Sequence, residues 1–200
     1  MEYWSTLLNG IAQTSLLEWI GVLSGVTYVL LAAKKQNSCW FFAMLSTGIF
    51  IYICYISELY IESWLQVFYF IMAIYGWINW RKDESKNLPI QRWPIKYHLL
   101  NVVVSSFLSI LLGYFMSEYT GQKSPYLDAF TTIFSLAATF MVAQRVLENW
   151  IYWIIIDVGL AFLYSSRELY LTGLHYVVFS IVAIFAWYSW FNYYKKQKTQ

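Results

Sequence analysis

The sequence predicts an all-α integral membrane protein: seven transmembrane helices arranged as two parallel three-helix repeats joined by one linker helix. Three observations predict this fold class. Of 200 residues, 60% are hydrophobic and 12% charged, whereas an ordinary soluble domain carries about 25% charged residues. Apolar runs long enough to cross a bilayer recur at regular spacing, and no strands of alternating polarity stand out between them. The second half of the chain also repeats the first at a constant offset.

Taken in order, residues 1–15 form an extracytoplasmic lead in which Tyr3 and Trp4 suit a membrane surface. The lead lacks the basic start and small-residue cleavage site of a signal peptide. Segment one spans about Leu16 to Ala33, segment two about Cys39 to Ile56, and segment three about Trp64 to Trp80. Together residues 16–80 make the first three-helix repeat. Residues 81–97, RKDESKNLPIQRWPIKY, are the longest polar stretch and form a cytoplasmic loop. Segment four, 98–116, is the linker helix, and the turn after it draws on Gly121 and Pro125. Segments five (Leu127 to Ala143), six (Trp150 to Tyr164) and seven (Leu171 to Tyr194) make the second repeat, 127–194. Residues 195–200 are a cytoplasmic tail.

Charge orients these segments. Lys34, Lys35, Arg81, Lys82, Lys86, Arg92, Lys96, Arg145, Lys195, Lys196 and Lys198 all fall in alternate loops, on one side. Only Lys123 and Arg167 fall on the other. The positive-inside rule then sets the N-terminus outside and the C-terminus in the cytoplasm, which requires an odd number of spans.

An offset of 110 residues overlays the chain on itself without a gap. Trp40 meets Trp150, Glu58-Leu59-Tyr60 meets Glu168-Leu169-Tyr170, and Ala73-Ile74 meets Ala183-Ile184. Trp77 and Trp80 meet Trp187 and Trp190. Lys35 meets Arg145, and Glu18 meets Asp128. Parallel repeats about an axis along the membrane normal are a transporter architecture, with substrate held near the midplane at the repeat interface. Trp153 faces Ala43 and Asp157 faces Thr47, so these two features belong to the second repeat alone.

The candidate site follows from that divergence. On a helix, Trp150, Trp153 and Asp157 stand at i, i+3 and i+7 and share a face. Two indoles and a carboxylate suit a flat, positively charged molecule. A carboxylate at mid-bilayer costs about 2.5–3.5 kcal/mol on insertion scales, and such residues mark substrate pathways. The competing structural reading is a polar contact for Asp157 and an interfacial anchor for Trp150. Gln66, near the outer end of segment three, can donate and accept, or bond helix to helix. Thr131, Thr132, Ser135 and Thr139 give segment five a polar stripe. It either lines a wet path or bonds back to its own helix carbonyls. His175 and His98 read as boundary residues. Glu18, Asp128 and Glu62 begin outer helix ends, where acids suit the macrodipole and attract cations to an outer mouth. Gly21 and Gly25 form a close-packing G-x-x-x-G pair.

Several function classes are excluded or disfavoured. A net charge of +2 without a basic stripe gives no nucleic-acid footprint. Cys39 and Cys54 have neither metal nor redox spacing. An intramembrane aspartyl protease needs a second aspartate, and no Walker A sequence couples the chain to ATP. No cofactor is implied. These observations point to a carrier, not an enzyme or a structural subunit.

The stretches ENWIYW and LQVFYFIMAIYGW and the 3+1+3 layout resemble the PnuC family of vitamin transporters over nearly the whole chain. The resemblance implies a fold like that of the SWEET sugar transporters, a homotrimer, and residence in the cell (inner) membrane. It implies facilitated diffusion of nicotinamide riboside, which a cytosolic kinase then traps by phosphorylation. The family's W-x-x-W motif maps onto Trp150 and Trp153, and its segment-three glutamine onto Gln66. Nicotinamide riboside members carry asparagine where this chain has Asp157, and near Ser46 and Ala73. Those departures bring the thiamine-carrying PnuT relatives into view, since thiamine is also a flat cation with fewer hydroxyls to satisfy.

Overall fold

The computed structural model describes residues 15–81, 89–119, 121, 124–167 and 170–199. Tyr3, Trp4, Lys82, Lys86, Lys123 and the Glu168-Leu169 arm of the repeat lie outside the described residues. Seven helices are α1 (Leu16–Ala33), α2 (Cys39–Ile56), α3 (Tyr60–Arg81), α4 (Ile95–Tyr119), α5 (Pro125–Ala143), α6 (Asn149–Ser166) and α7 (Tyr170–Lys198). Among the described residues, five helices are long and apolar enough to cross a membrane. The other two are α3 and α6, whose apolar runs are diluted by Gln66 and Asn79 in one and by Asn149 and Asp157 in the other.

The first two helices have the expected bounds, whereas the later ones extend past the apolar run. Hydropathy marks the lipid-facing stretch, but backbone hydrogen bonding continues through amphipathic ends. In α7 it runs on through Tyr194 and three lysines, whose charge suits a helix C-terminus. Lys195 Nζ lies 4.4 Å over the Phe191 ring and Lys198 Nζ 5.0 Å over Tyr194, so the stems fold back on aromatic surface. Pro125 corrects the turn expectation: it starts α5, where its missing N–H costs nothing. Gly121 does turn the chain, at φ +62°.

The chain divides into two compact units, Met1–Lys82 and Asp83–Gln200. In the first, α1 packs on α2 and α2 on α3. Gly21 and Gly25 admit α2 closely: a Cβ on Gly21 would stand 3.1 Å from Ile49, and one on Gly25 would stand 3.1 Å from Ser46 Oγ. That approach lets Ser46 Oγ donate 2.8 Å to the Gly21 carbonyl. In the second unit α4 packs on α5, α5 on α6 and α6 on α7. The linker helix is therefore part of the second unit. Its Gly113 leaves room for Tyr126, whose ring would lie 2.5 Å from an added Cβ.

Inside each unit the 110-residue offset reappears as geometry. Trp40 meets Trp80 edge-on, with centroids 5.4 Å apart at 89°. Trp150 meets Trp190 at 5.5 Å and 85°. All four indoles are buried. The preceding loops also agree bond for bond. Lys35 N donates to Ala32 O and Gln36 N to Leu31 O, as Arg145 N does to Val142 O and Val146 N to Met141 O, all at 2.9–3.0 Å. Lys35 and Arg145 both take left-handed backbone, φ 60° and 58°.

The two brackets are filled differently. Trp40 lies beside Tyr28, with centroids 5.6 Å apart, and against Gly76, where a Cβ would come within 2.4 Å of the indole. The matching positions around Trp150 are Ala138 and Ala186. A large and an absent side chain in one bundle are replaced by two small ones in the other.

Candidate functional site

The helix α6 sits between α5 and α7 and presents a different stripe to each. Trp150, Asp157 and Ala161 lie on the stripe that meets α7. There Trp150 contacts Trp190, and the Ala161 carbonyl lies 3.2 Å from where a Cβ on Gly173 would stand. Tyr152, Trp153, Ile156 and Leu160 pack instead with Phe130, Phe134 and Ala138 of α5. The expected shared face is thus divided. Trp150 is committed to its edge-on pair with Trp190, the counterpart of the Trp40–Trp80 pair within the first unit. Trp153 is half-buried at the edge of the α5–α6 core.

Asp157 is 3% exposed. Among the described residues its carboxylate takes no hydrogen bond and forms no ion pair. Its counterpart Thr47 has settled locally, donating 2.7 Å to the carbonyl of Ala43. A hydroxyl can return its proton to its own helix, but a carboxylate has none to return when ionised. Asp157 therefore keeps a strong acceptor in an apolar bundle, the arrangement that a cationic ligand would satisfy.

In the polar stripe of α5, Thr131, Ser135 and Thr139 are buried and Thr132 is half-buried, and the two buried threonines bond back to their own helix. Thr131 Oγ1 donates to Leu127 O and to Asp128 O at 3.0 Å, and Thr139 Oγ1 donates to Ser135 O at 2.8 Å. The Thr131 methyl also lies 3.3 Å from a Cβ placed on Gly159, so this residue seats α5 against α6. Ser135 is buried on the same helix. The Thr131 and Thr139 hydroxyls retain oxygen lone pairs for a ligand donor, but their protons are already engaged. Gln66 and Ser46 belong to the first unit. Gln66 is half-buried on α3, and Ser46 spends its proton on Gly21.

Polar contacts at both ends of α6 went unrecognised in the sequence. At its C-terminus Arg167 pairs with Asp128 of α5. This corrects the reading of Asp128 as a free attractor of cations. At its N-terminus Glu148 Oε1 accepts from Arg92 Nε at 2.6 Å, and Oε2 accepts from Trp93 N at 3.4 Å. The carboxylate beside it raises the Arg92 pKa above its ordinary value. His98, read as a plain boundary residue, places Nε2 3.8 Å from Glu148 and Nδ1 3.1 Å from Tyr152 Oη. No periodicity could have signalled these pairs, because their partners lie in different segments.

The profile of a family described as nicotinamide mononucleotide transporter matches residues 15–192. The nicotinamide riboside transporter PnuC of Escherichia coli (strain K12) is 25% identical over 197 residues, covering 85% of this chain and 82% of that protein. The nicotinamide riboside transporter PnuC of Haemophilus influenzae is 23% identical over 183 residues, covering 86% and 78%. The crystal structure of the vitamin B3 transporter PnuC is similar with a TM-score of 0.73 at 20% identity, over 96% of this chain and 87% of that one. At that identity the likeness establishes the fold.

Proposed function

The chain belongs to the nicotinamide mononucleotide transporter family, which includes the PnuC proteins, and on that premise we propose that it carries nicotinamide riboside into the cell by facilitated diffusion. Its family makes it a multi-pass membrane transporter. The observation that carries the substrate reading is the match across residues 15–192, taken with relatives named for nicotinamide riboside. The chemistry of α6 supports it. The nicotinamide ring of the riboside is flat and cationic, so Trp153 offers a stacking surface and Asp157 a counter-charge. Trp150, Thr131, Ser135 and Thr139 complete the proposed lining on the second unit, and Gln66 and Ser46 are the proposed substrate-binding residues of the first.

The N-terminus lies outside and the C-terminus in the cytoplasm of the cell inner membrane, as the lysine and arginine distribution favours. The chain works as a homotrimer. A cytosolic kinase traps the product by phosphorylation, which keeps the inward gradient without ATP use by the carrier. No cofactor or chemical step is required.

The departure noted in the family resemblance, Asp157 in place of an asparagine, favours thiamine as a second reading. A carboxylate favours a cation with few hydroxyls over a ribose that needs both donors and acceptors. Uptake into proteoliposomes tests both readings. The labelled vitamin that is the substrate should enter down its own gradient without ATP, sodium or a proton gradient, and the other should not. Uptake that stops when an ion gradient is collapsed refutes facilitated diffusion.

A further inference from the structure

We propose that Glu148 is a positioning residue for the ring-holding turn of α6, and that residues 90–93 are the strap through which it acts. This rests on α6 being the substrate helix. Glu148 stands at the N-cap position but makes no side-chain cap bond to its own helix. Ser15 shows the ordinary arrangement, accepting from Glu18 N at 3.1 Å at the start of α1. The Glu148 side chain is 9% exposed and turns instead to Arg92, Trp93 and His98. A carboxylate so buried needs the hydrogen bonds that Arg92 Nε and Trp93 N donate to it, while the His98 ring lies beside it at 3.8 Å.

The strap is itself firmly seated. Gln91 N donates to Arg145 O at 3.1 Å and Leu147 N to Gln91 O at 2.8 Å, so the strap pairs with the α5–α6 loop as a short parallel bridge. Gln91 Nε2 adds a bond of 2.6 Å to Gln144 O. Ile90 is 1% exposed, and its backbone exchanges two bonds with the Gln197 amide near the end of α7, at 3.0 and 3.2 Å. The loop before α6 and the tail of α7 therefore hold the strap in place, and the strap and His98 at the start of α4 border one carboxylate. Two and five residues further along α6 stand the indoles of Trp150 and Trp153.

The first bundle shows that this apparatus is not needed to build the repeat. Ser38 occupies the position of Glu148 and makes no side-chain cap bond, yet the loop before it has the same backbone bonds. Trp40 reaches the same edge-on contact with Trp80. What the second bundle adds is a fixed entry for the helix that carries Trp153 and Asp157. His98 extends that hold by stacking on Tyr152, with centroids 5.9 Å apart, and Tyr152 packs with Phe134 of α5.

Concentration-dependent uptake by proteoliposomes, with nicotinamide riboside and thiamine as probes, tests the assignment. Glu148→Gln should raise the half-saturating concentration of the transported vitamin about tenfold, the equivalent of one charge-assisted hydrogen bond, with maximal rate little changed. Arg92→Gln should raise it about threefold, because Arg92 is 52% exposed and the Trp93 N–H still donates to Glu148. Glu148→Asp, which keeps the charge, should recover most of the loss. An unchanged half-saturating concentration in Glu148→Gln, or a loss confined to maximal rate, overturns the proposal. If Glu148→Gln does not fold, Arg92→Gln decides by the same criterion. Wild-type vesicles that take up neither vitamin sink the transport reading and this one together; active wild type beside indifferent variants sinks this one alone.

Discussion

The two three-helix bundles share a frame and differ in what they hang on it. Both turn through a left-handed residue, Lys35 or Arg145, and both close on an edge-on tryptophan pair. The frame is therefore architecture, which one chain can use twice. At the matched positions the first bundle has Ser38, Ala43, Thr47 and Ser57, all small and locally satisfied or neutral. The second has Glu148, Trp153, Asp157 and Arg167. Every charge added on α6 or at its ends lies in the second bundle, and so does the added ring. The difference teaches that one frame serves both bundles, while the buried carboxylate, the flanking charges and the extra indole at these positions are confined to the second.

Truncating the shared frame should have the largest effect. Trp40→Ala and Trp150→Ala should each cost about 3–5 kcal/mol, typical of a buried tryptophan removed from a packed core. Denaturant unfolding in detergent should give similar losses for the two. A loss confined to one bundle breaks the claim of a common frame. Next is the filling of the brackets. Gly76→Ala should destabilise by about 1–3 kcal/mol, because the new methyl meets the Trp40 ring. Adding Tyr28→Ala reproduces the pair found around Trp150 and should recover much of that loss. Failure to recover would mean that the two brackets are not interchangeable solutions.

Smaller effects sharpen the contrast at the helix ends. Arg167→Gln should cost about 1 kcal/mol, since the pair with Asp128 is only partly buried. Ser57→Ala, at the matched position, should leave unfolding unmoved. The smallest effect is a gain: Lys35→Gly should stabilise by up to about 1 kcal/mol, relieving left-handed strain against a larger entropy loss. Burial also lowers the Lys35 pKa, so the fold disfavours its charged form. The gain should therefore be greatest at low pH and shrink as pH rises through that lowered pKa. A gain that grew with pH would contradict this.

Much of the fold was legible because lipid imposes a simple grammar. Leu16–Ala33 and Cys39–Ile56 are uninterrupted apolar runs bounded by polar turns, and both helices have those bounds. The repeat was legible because Trp40, Trp80, Trp150 and Trp190 are rare, large residues at one fixed offset. The G-x-x-x-G pair also did what small residues at that spacing do. The self-bonding of Thr131 and Thr139 was one of two readings that spacing allowed. The pairs Arg92–Glu148 and Asp128–Arg167 were not legible, since neither contact is periodic and each joins separate segments. Trp150 and Trp153 were placed on one face correctly by angle, but helix packing sends them to different neighbours. Helix ends were missed where Tyr and Lys carry the backbone beyond the apolar stretch.

The central claim is that Asp157 meets the charge of a planar cation. Calorimetric titration of the purified protein with nicotinamide riboside and with thiamine, in wild type, Asp157→Asn and Ser135→Ala, tests it most directly. The account predicts binding of at least one of the two by wild type. It also predicts that Asp157→Asn weakens thiamine about tenfold or more, as loss of a charge-assisted contact should, while Ser135→Ala changes little. Equal and negligible effects of both substitutions would contradict it and return Asp157 to a purely structural role.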